Sequence, residues 1–549
     1  MKQLILILGF TLVFVACKKE LIENGFKKYN ETSEIKEQQN HKNPRMKFKL
    51  IQSKYINLGK SFEPFQKELA SFSEEDYQSL KPLILEQNIP SIQKSIAENI
   101  FNYEKLTLFY LYRIRKFEMD STRSLNAIIS LNPRVLEEAR ARDRNGLNDF
   151  SSVYGMPILL KDNINTQEMP TTAGASILQN NFTKKDAFVV QKLKEAGALI
   201  LGKANLSEWA YFFCNGCPLG YSAIGGQTLN PYGRKNFETG GSSSGSGVAV
   251  AANYAIAAIG TETSGSITSP SSQNSVVGLK PTVGLLSRSG IIPISSTLDT
   301  PGPMTKSVID NSILLKAMIG YDKLDTITSM VKLMNNEFST SDRNKNHLKG
   351  KKIGFLTALV SDSIYKQAID KLKLAEAKLV ELAPEEMNYE GFLNLLTTEM
   401  KHDLPNYFKS LDNDAKTITS VDEIVKFNKE DSLLRAPYGQ QLFMGVVNDT
   451  TSKEELMNIK LKLKSEGEKY FQALKNDKVE VLVSINNYHS GIAAVSNYPT
   501  LTVPMGYKKT GEPISLTFIA KPKSEKTLLA FGYAFEQLTN VRKIPEAYK

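Results

Sequence analysis

Residues 239–247 read TGGSSSGSG, a block of serines set among glycines in the middle of a 549-residue chain. A serine hydroxyl is a weak nucleophile at neutral pH and needs a neighbouring base. Gly241-Ser242-Ser243-Ser244-Gly245 formally matches the G-x-S-x-G turn of α/β-hydrolases. That turn needs a buried strand before it and a histidine base. The preceding NPYGRKNFETG is polar, and of the four histidines only His489 has a tolerable context. A phosphate loop fails because Val248 stands where its lysine is sought, and a dinucleotide fingerprint fails for want of the strand. A lysine can replace histidine if desolvation keeps its amine neutral. Most lysines are solvated surface groups. Lys161, however, directly follows the apolar run MPILL, so a buried strand would carry it to a strand end.

Other reactive residue types are sparse. The three cysteines are Cys17, Cys214 and Cys217, the last two in FFCNGCPLGY. A lone CxxC has no second pair to complete a zinc site, so a local disulfide and inert packing both stay open. The N-terminus MKQLILILGFTLVFVAC has a basic start and a largely apolar run from Leu4 to Ala16 before Cys17. That run is too short to span a bilayer and suits an export signal. Phe14-Val15-Ala16-Cys17 resembles a bacterial lipobox, which predicts a signal peptide over 1–16, lipidation of Cys17 and a cell-envelope lipoprotein held to the membrane. An ordinary signal peptide cleaved nearby is the alternative.

Of the net charge of +10, the first fifty residues supply half, ten Lys/Arg against five Glu. No basic run with interleaved aromatics appears, which argues against nucleic-acid binding. The polar, lysine-rich start predicts a disordered tether over 17–58. Apolar residues at threes and fours predict helices over 59–120. LNPRVLEEARARD adds another helix, DAFVVQKLKEAG one opened by Asp186, and MPILLKDNI and ALILGKANL read as strands. Strand and helix signals alternate again from KKIGFLTALV to the C-terminus, so the chain reads as α/β with a substantial sheet. The segment from about 322 to 478 is mostly helical and charged and reads as an insertion.

GMPILLKDNI, TGGSSSGSGVAVAANYAIAAIGTETSGSITSPSSQNSVVGLKPT and PISSTLDTPGPMTKS together strongly resemble the amidase signature family. GYSAIGGQTLNPYGR and GTETSGSI look most like its peptide amidase-type members. The resemblance implies a large mixed sheet covered by helices on both faces, spanning 121–549. It implies a catalytic triad of Ser266 as nucleophile, Ser242 as bridging serine after a cis peptide bond, and Lys161 as general base. It also implies an oxyanion hole from the N–H groups of Thr263, Ser264, Gly265 and Ser266, with no metal or cofactor. Trp209, Tyr211, Phe212 and Phe213 are expected to line the substrate pocket. Glu262 stands where many members carry Asp, Ser264 where Gly or Asp is common, Ser244 where glycine is frequent and Thr268 where arginine is frequent. The implied activity is hydrolysis of a C-terminal peptide amide or small amide through an acyl-enzyme. The alternatives are the glutaminase subunit of a tRNA-dependent amidotransferase, or a non-catalytic ligand-binding lipoprotein.

Overall fold

The computed structural model describes residues 22–23, 26–27, 31–146, 152–333, 344–411 and 418–549. Cys17 and the segment 1–16, expected to be a signal peptide, lie outside them. Among the described residues eleven strands form one sheet: β1 (Ile128–Leu131), β2 (Pro157–Lys161), β3 (Leu199–Ala204), β4 (Ala257–Glu262), β5 (Val277–Lys280), β6 (Thr300–Thr305), β7 (Lys352–Leu356), β8 (Lys378–Leu382), β9 (Val481–Ile485), β10 (Thr500–Tyr507) and β11 (Pro513–Ile519). Their spatial order is β8-β7-β9-β11-β10-β5-β6-β4-β2-β3-β1. β2 runs parallel to both β3 and β4, whereas β6 is antiparallel to β4 and to β5. The sheet is therefore mixed.

Successive strand residues point to opposite faces. All five residues of β2, all six of β4 and all seven of β11 are buried, so both faces are covered there. In β2 this shows in the sequence as an apolar run, PILL, rather than an alternation. Helix α1 (Ser244–Ala251, SGSGVAVA) continues the glycine-serine block and is buried along its whole length. Small side chains make that possible: a Cβ on Gly245 would lie 2.5 Å from the Asn205 backbone and 2.6 Å from the Ala127 carbonyl.

Two expectations are corrected and a third is refined. The tether expected over 17–58 is packed structure from Glu31 onward. Helix Glu31–Gln38 leads into Met46, Phe48 and Ile51, all buried, and the Ile51 carbonyl accepts from Gln227 N–H at 2.8 Å. Those few apolar residues, with Arg234 donating to Glu34, fix a segment whose composition is otherwise polar. The insertion at about 322–478, expected to be mostly helical, bears out the strand signal of KKIGFLTALV and adds a strand not anticipated, KLVEL. It supplies β7 and β8, which extend the main sheet beside β9, before the helices α2 (Phe392–Ser410) and α3 (Lys453–Tyr470). Asp186 does not cap its helix, Phe188–Glu195. Its carboxylate accepts from Gln167 N–H at 3.0 Å and from Lys194 at 2.7 Å instead.

Candidate active site

β2 ends at Lys161, which is fully buried. Its Nζ lies 2.7 Å from Ser242 Oγ and 2.8 Å from Thr261 Oγ1, and it donates to the Thr261 carbonyl at 3.1 Å. Asn163, in the turn just after the strand, donates to the same Thr261 hydroxyl at 3.0 Å. Burial pushes the Lys161 amine down to about 7, while the charges of Asp299 and Glu262 pull partly the other way. A lysine so placed exchanges between ammonium and free amine near neutrality. The free amine can accept the hydroxyl proton of Ser242.

The serine loop is tied down on every side. The Gly241–Ser242 peptide bond is cis. Ser242 is fully buried, and its carbonyl accepts from Ser207 N–H at 3.0 Å. Gly240 has φ +65°, and a Cβ there would meet the Pro270 backbone at 2.7 Å, so only glycine fits. Ser243 N–H donates to the Ser266 carbonyl at 3.1 Å, which joins this loop to the second one. Ser243 itself is buried, its hydroxyl donating to the Thr261 carbonyl at 3.1 Å and accepting from Thr261 N–H at 3.2 Å. His489 is bound to Ser484 at 2.5 Å. A Ser243–His489 elbow is thus absent.

Strand β4 leads into the second loop, Thr263–Ser266. Glu262 Oε2 accepts from Ile267 N–H at 2.7 Å, from Thr268 N–H at 2.8 Å and from the Thr268 hydroxyl at 3.0 Å. The carboxylate thereby satisfies the start of the following helix, Thr268–Gln273. Two of the departures from the family pattern, at Glu262 and Thr268, are bonded to each other. The four N–H groups just upstream, from Thr263 to Ser266, meet no backbone acceptor among the described residues. Gly265 has φ +94°, and a Cβ on it would lie 2.9 Å from Ser490 Oγ. Ser264 and Ser266 are partly exposed, unlike the buried Lys161 and Ser242. The geometry thus offers a reachable hydroxyl, a row of backbone donors beside it and a hidden amine with its own serine.

Asp299, in PISSTLDTPGPMTKS, had no role assigned by the sequence. It accepts from Thr263 Oγ1 at 2.5 Å, Ile294 N–H at 2.8 Å and Ser295 N–H at 2.9 Å. Burial pushes its carboxyl up to about 6. Asn163 and Thr261 were likewise not anticipated. The sequence offered a signal for one of them, since Asn163 is two residues from Lys161.

The chain belongs to the amidase family. The family's sequence profile, described as Amidase, matches residues 106–484. A probable amidase of Arabidopsis thaliana is 35% identical over 485 residues, covering 83% of this chain and 92% of the relative. An amidase family protein of Bacillus anthracis superposes with a TM-score of 0.84 at 38% identity, covering 88% of this chain and 97% of that one. The peptide amidase of Stenotrophomonas maltophilia superposes with a TM-score of 0.77 at 36% identity, covering 84% and 99%. The large mixed sheet is accordingly the amidase signature fold, and the chain is a hydrolase of amides.

Of the four aromatics expected to line the pocket of this amidase, Tyr211 and Phe213 border a small cavity beside Tyr221 and Tyr438. Trp209, Phe212 and Phe213 are buried in an apolar cluster with residues of α2. The Trp209 and Phe213 rings each lie 5.2 Å from that of Phe443. Tyr211 alone of the four is partly exposed, and its hydroxyl donates to the Cys217 carbonyl at 2.9 Å. Cys214 and Cys217 form a disulfide beside it.

Proposed function

We propose that this amidase hydrolyses a C-terminal peptide amide or a small carboxamide through Lys161, Ser242 and Ser266. The observation that carries the reading is the 2.7 Å contact between a buried Lys161 amine and Ser242. The amine takes the Ser242 proton as Ser242 takes that of Ser266, and Ser266 Oγ bonds to the amide carbon. The resulting oxyanion is held by N–H groups of Thr263, Ser264, Gly265 and Ser266, each such donor being worth about 10²–10³ in rate. Ser242 then protonates the nitrogen, so that ammonia or an amine leaves rather than an anion. Water, activated by the same relay, attacks the ester of Ser266 and frees the acid. No metal or cofactor enters these steps.

Likeness to the peptide amidase supports the substrate class. The second reading is a role as glutaminase within a larger enzyme. It is favoured by a glutamyl-tRNA(Gln) amidotransferase chain of a Ruegeria strain, 30% identical over 463 residues and covering 76% of this chain and 91% of the relative. A fluorophosphonate probe and a panel of amides, with glutamine included, test the proposal. Labelling with turnover of peptide or small amides is expected. Tight amide binding with neither label nor turnover would instead identify a ligand-binding protein.

The lipobox supports a location for this activity at the bacterial cell envelope, on a lipid attached to Cys17. Among the described residues no helix is long and apolar enough to cross a membrane. Palmitate fed to cells expressing the full chain should label it, and Cys17→Ser should abolish the label and release the protein from the membrane fraction. Label that persists in the variant would refute attachment at Cys17.

A further inference from the structure

Three polar side chains from distant parts of the chain gather around the Thr263–Ser266 loop. Ser264 belongs to the loop itself. Asn487 follows β9, at the entrance to the short helix Ser490–Val495, and Tyr389 comes from the insertion between β8 and α2. Two glycines allow this approach. A Cβ on Gly265 would lie 3.3 Å from Asn487 Nδ2. A Cβ on Gly491 would lie 3.2 Å from the Tyr389 hydroxyl and 3.6 Å from Ser264 Oγ.

These groups are open to a ligand. Tyr389 is 42% exposed, and Ser264 and Asn487 are partly exposed. The Asn487 carbonyl accepts from Ser490 N–H at 3.1 Å and from Ser490 Oγ at 2.8 Å, which fixes the turn while its side-chain carboxamide makes no hydrogen bond among the described residues. The Tyr389 ring is braced edge-on by Phe392 at 6.1 Å. The nearby charged groups are already engaged: Glu390 holds Lys462 at 2.6 Å, and Asp299 accepts from Thr263 Oγ1, Ile294 N–H and Ser295 N–H, while burial keeps His489 uncharged beside Ser484.

Resting on the triad reading above, we infer that Ser264, Tyr389 and Asn487 form a neutral subsite that selects amides with an uncharged, peptide-like acyl portion. The carboxamide of Asn487 and the two hydroxyls match the backbone C=O and N–H of an acylated residue. The subsite supplies no opposite charge for a free α-ammonium or α-carboxylate, and leaving such a group unpaired against protein is costly. Glutamine, which carries both, is excluded on the same ground.

The test compares N-acetyl-phenylalaninamide, phenylalaninamide and glutamine as substrates of the full-length enzyme, with fluorophosphonate labelling followed in parallel. The wild type should prefer the acetylated amide. Tyr389→Phe and Asn487→Ala should each raise its KM by several-fold to about tenfold, the loss of one hydrogen bond, with kcat and labelling rate nearly unchanged. Asn487→Asp should move the kcat/KM ratio about tenfold toward the free ammonium substrate, because an opposite charge now faces it. A ratio unmoved by Asn487→Asp while labelling stays normal overturns the subsite and leaves the triad standing. A wild type that takes glutamine best also overturns it. Absence of labelling in the wild type overturns the triad reading, and the subsite falls with it.

Discussion

Lys161→Met should abolish amide turnover while making the protein more stable at neutral and acid pH. The rate should fall by about 10⁴-fold or more, since the relay loses its only base. Methionine nearly conserves the volume of the buried side chain, so packing is retained. In the wild type kcat/KM should rise with pH through about 7, where the Lys161 ammonium loses its proton. The stability effect has the opposite origin. Burial lowers the amine from 10.5 to about 7, so between those values the unfolded chain binds a proton that the folded chain does not. Stability therefore rises with pH across this window on account of Lys161, and below it the folded state carries the full cost of a buried ammonium. Lys161→Met should remove that slope. Denaturant titrations at pH 6, 8 and 10, with the rate profile beside them, provide the check. Normal turnover in the variant would eliminate Lys161 as base, whatever its effect on stability.

Ser266→Ala should lower turnover by about 10⁴- to 10⁶-fold and eliminate fluorophosphonate labelling. The fold should hold, because the contact that joins the two serine loops uses the Ser266 carbonyl and not its hydroxyl. Ser266 is also partly exposed, so alanine leaves no sealed cavity. Intact-protein mass spectrometry during turnover of a slow substrate should show the acyl adduct on the wild type alone. If the variant still takes the probe, the nucleophile lies elsewhere. The pair of variants separates two roles. Without Lys161 the hydroxyl of Ser266 remains but is unactivated, and slow labelling that grows with pH is expected. Without Ser266 nothing remains to be labelled.

Lys161 was legible in the sequence because five apolar residues before a lysine leave a strand end as the natural place for it. The serine block was legible only through resemblance, since glycine and serine alone fit a linker equally well. The inward packing of the aromatic run at 209–213 has a local cause that the sequence did not show. Trp209, Ala210 and Tyr211 all have positive φ, at 51°, 53° and 74°, a conformation that no strand or helix period anticipates. That turn directs the rings into the core against Phe443. Strand β8, KLVEL, was hidden because it lies at the sheet edge with its charged residues exposed. Charge on an edge strand guards it against pairing with another chain, and it also disguises the strand. The bond from Glu262 to Thr268 could not be read from one chain, since each residue looks like an isolated departure until the loop closes.

The insertion has a foot in two places, its strands locked into register beside β9 and its next loop bringing Tyr389 against Gly491 near Ser264. Evolution is thus not free to trade the whole segment as a cassette. Residues 352–382 must keep the geometry of the sheet and α2 its place in the apolar cluster, while the loop 383–391 between them can drift and, on the subsite proposed above, retune which acyl groups are admitted. Divergence in selectivity among relatives should therefore concentrate in that loop, on a platform that stays fixed.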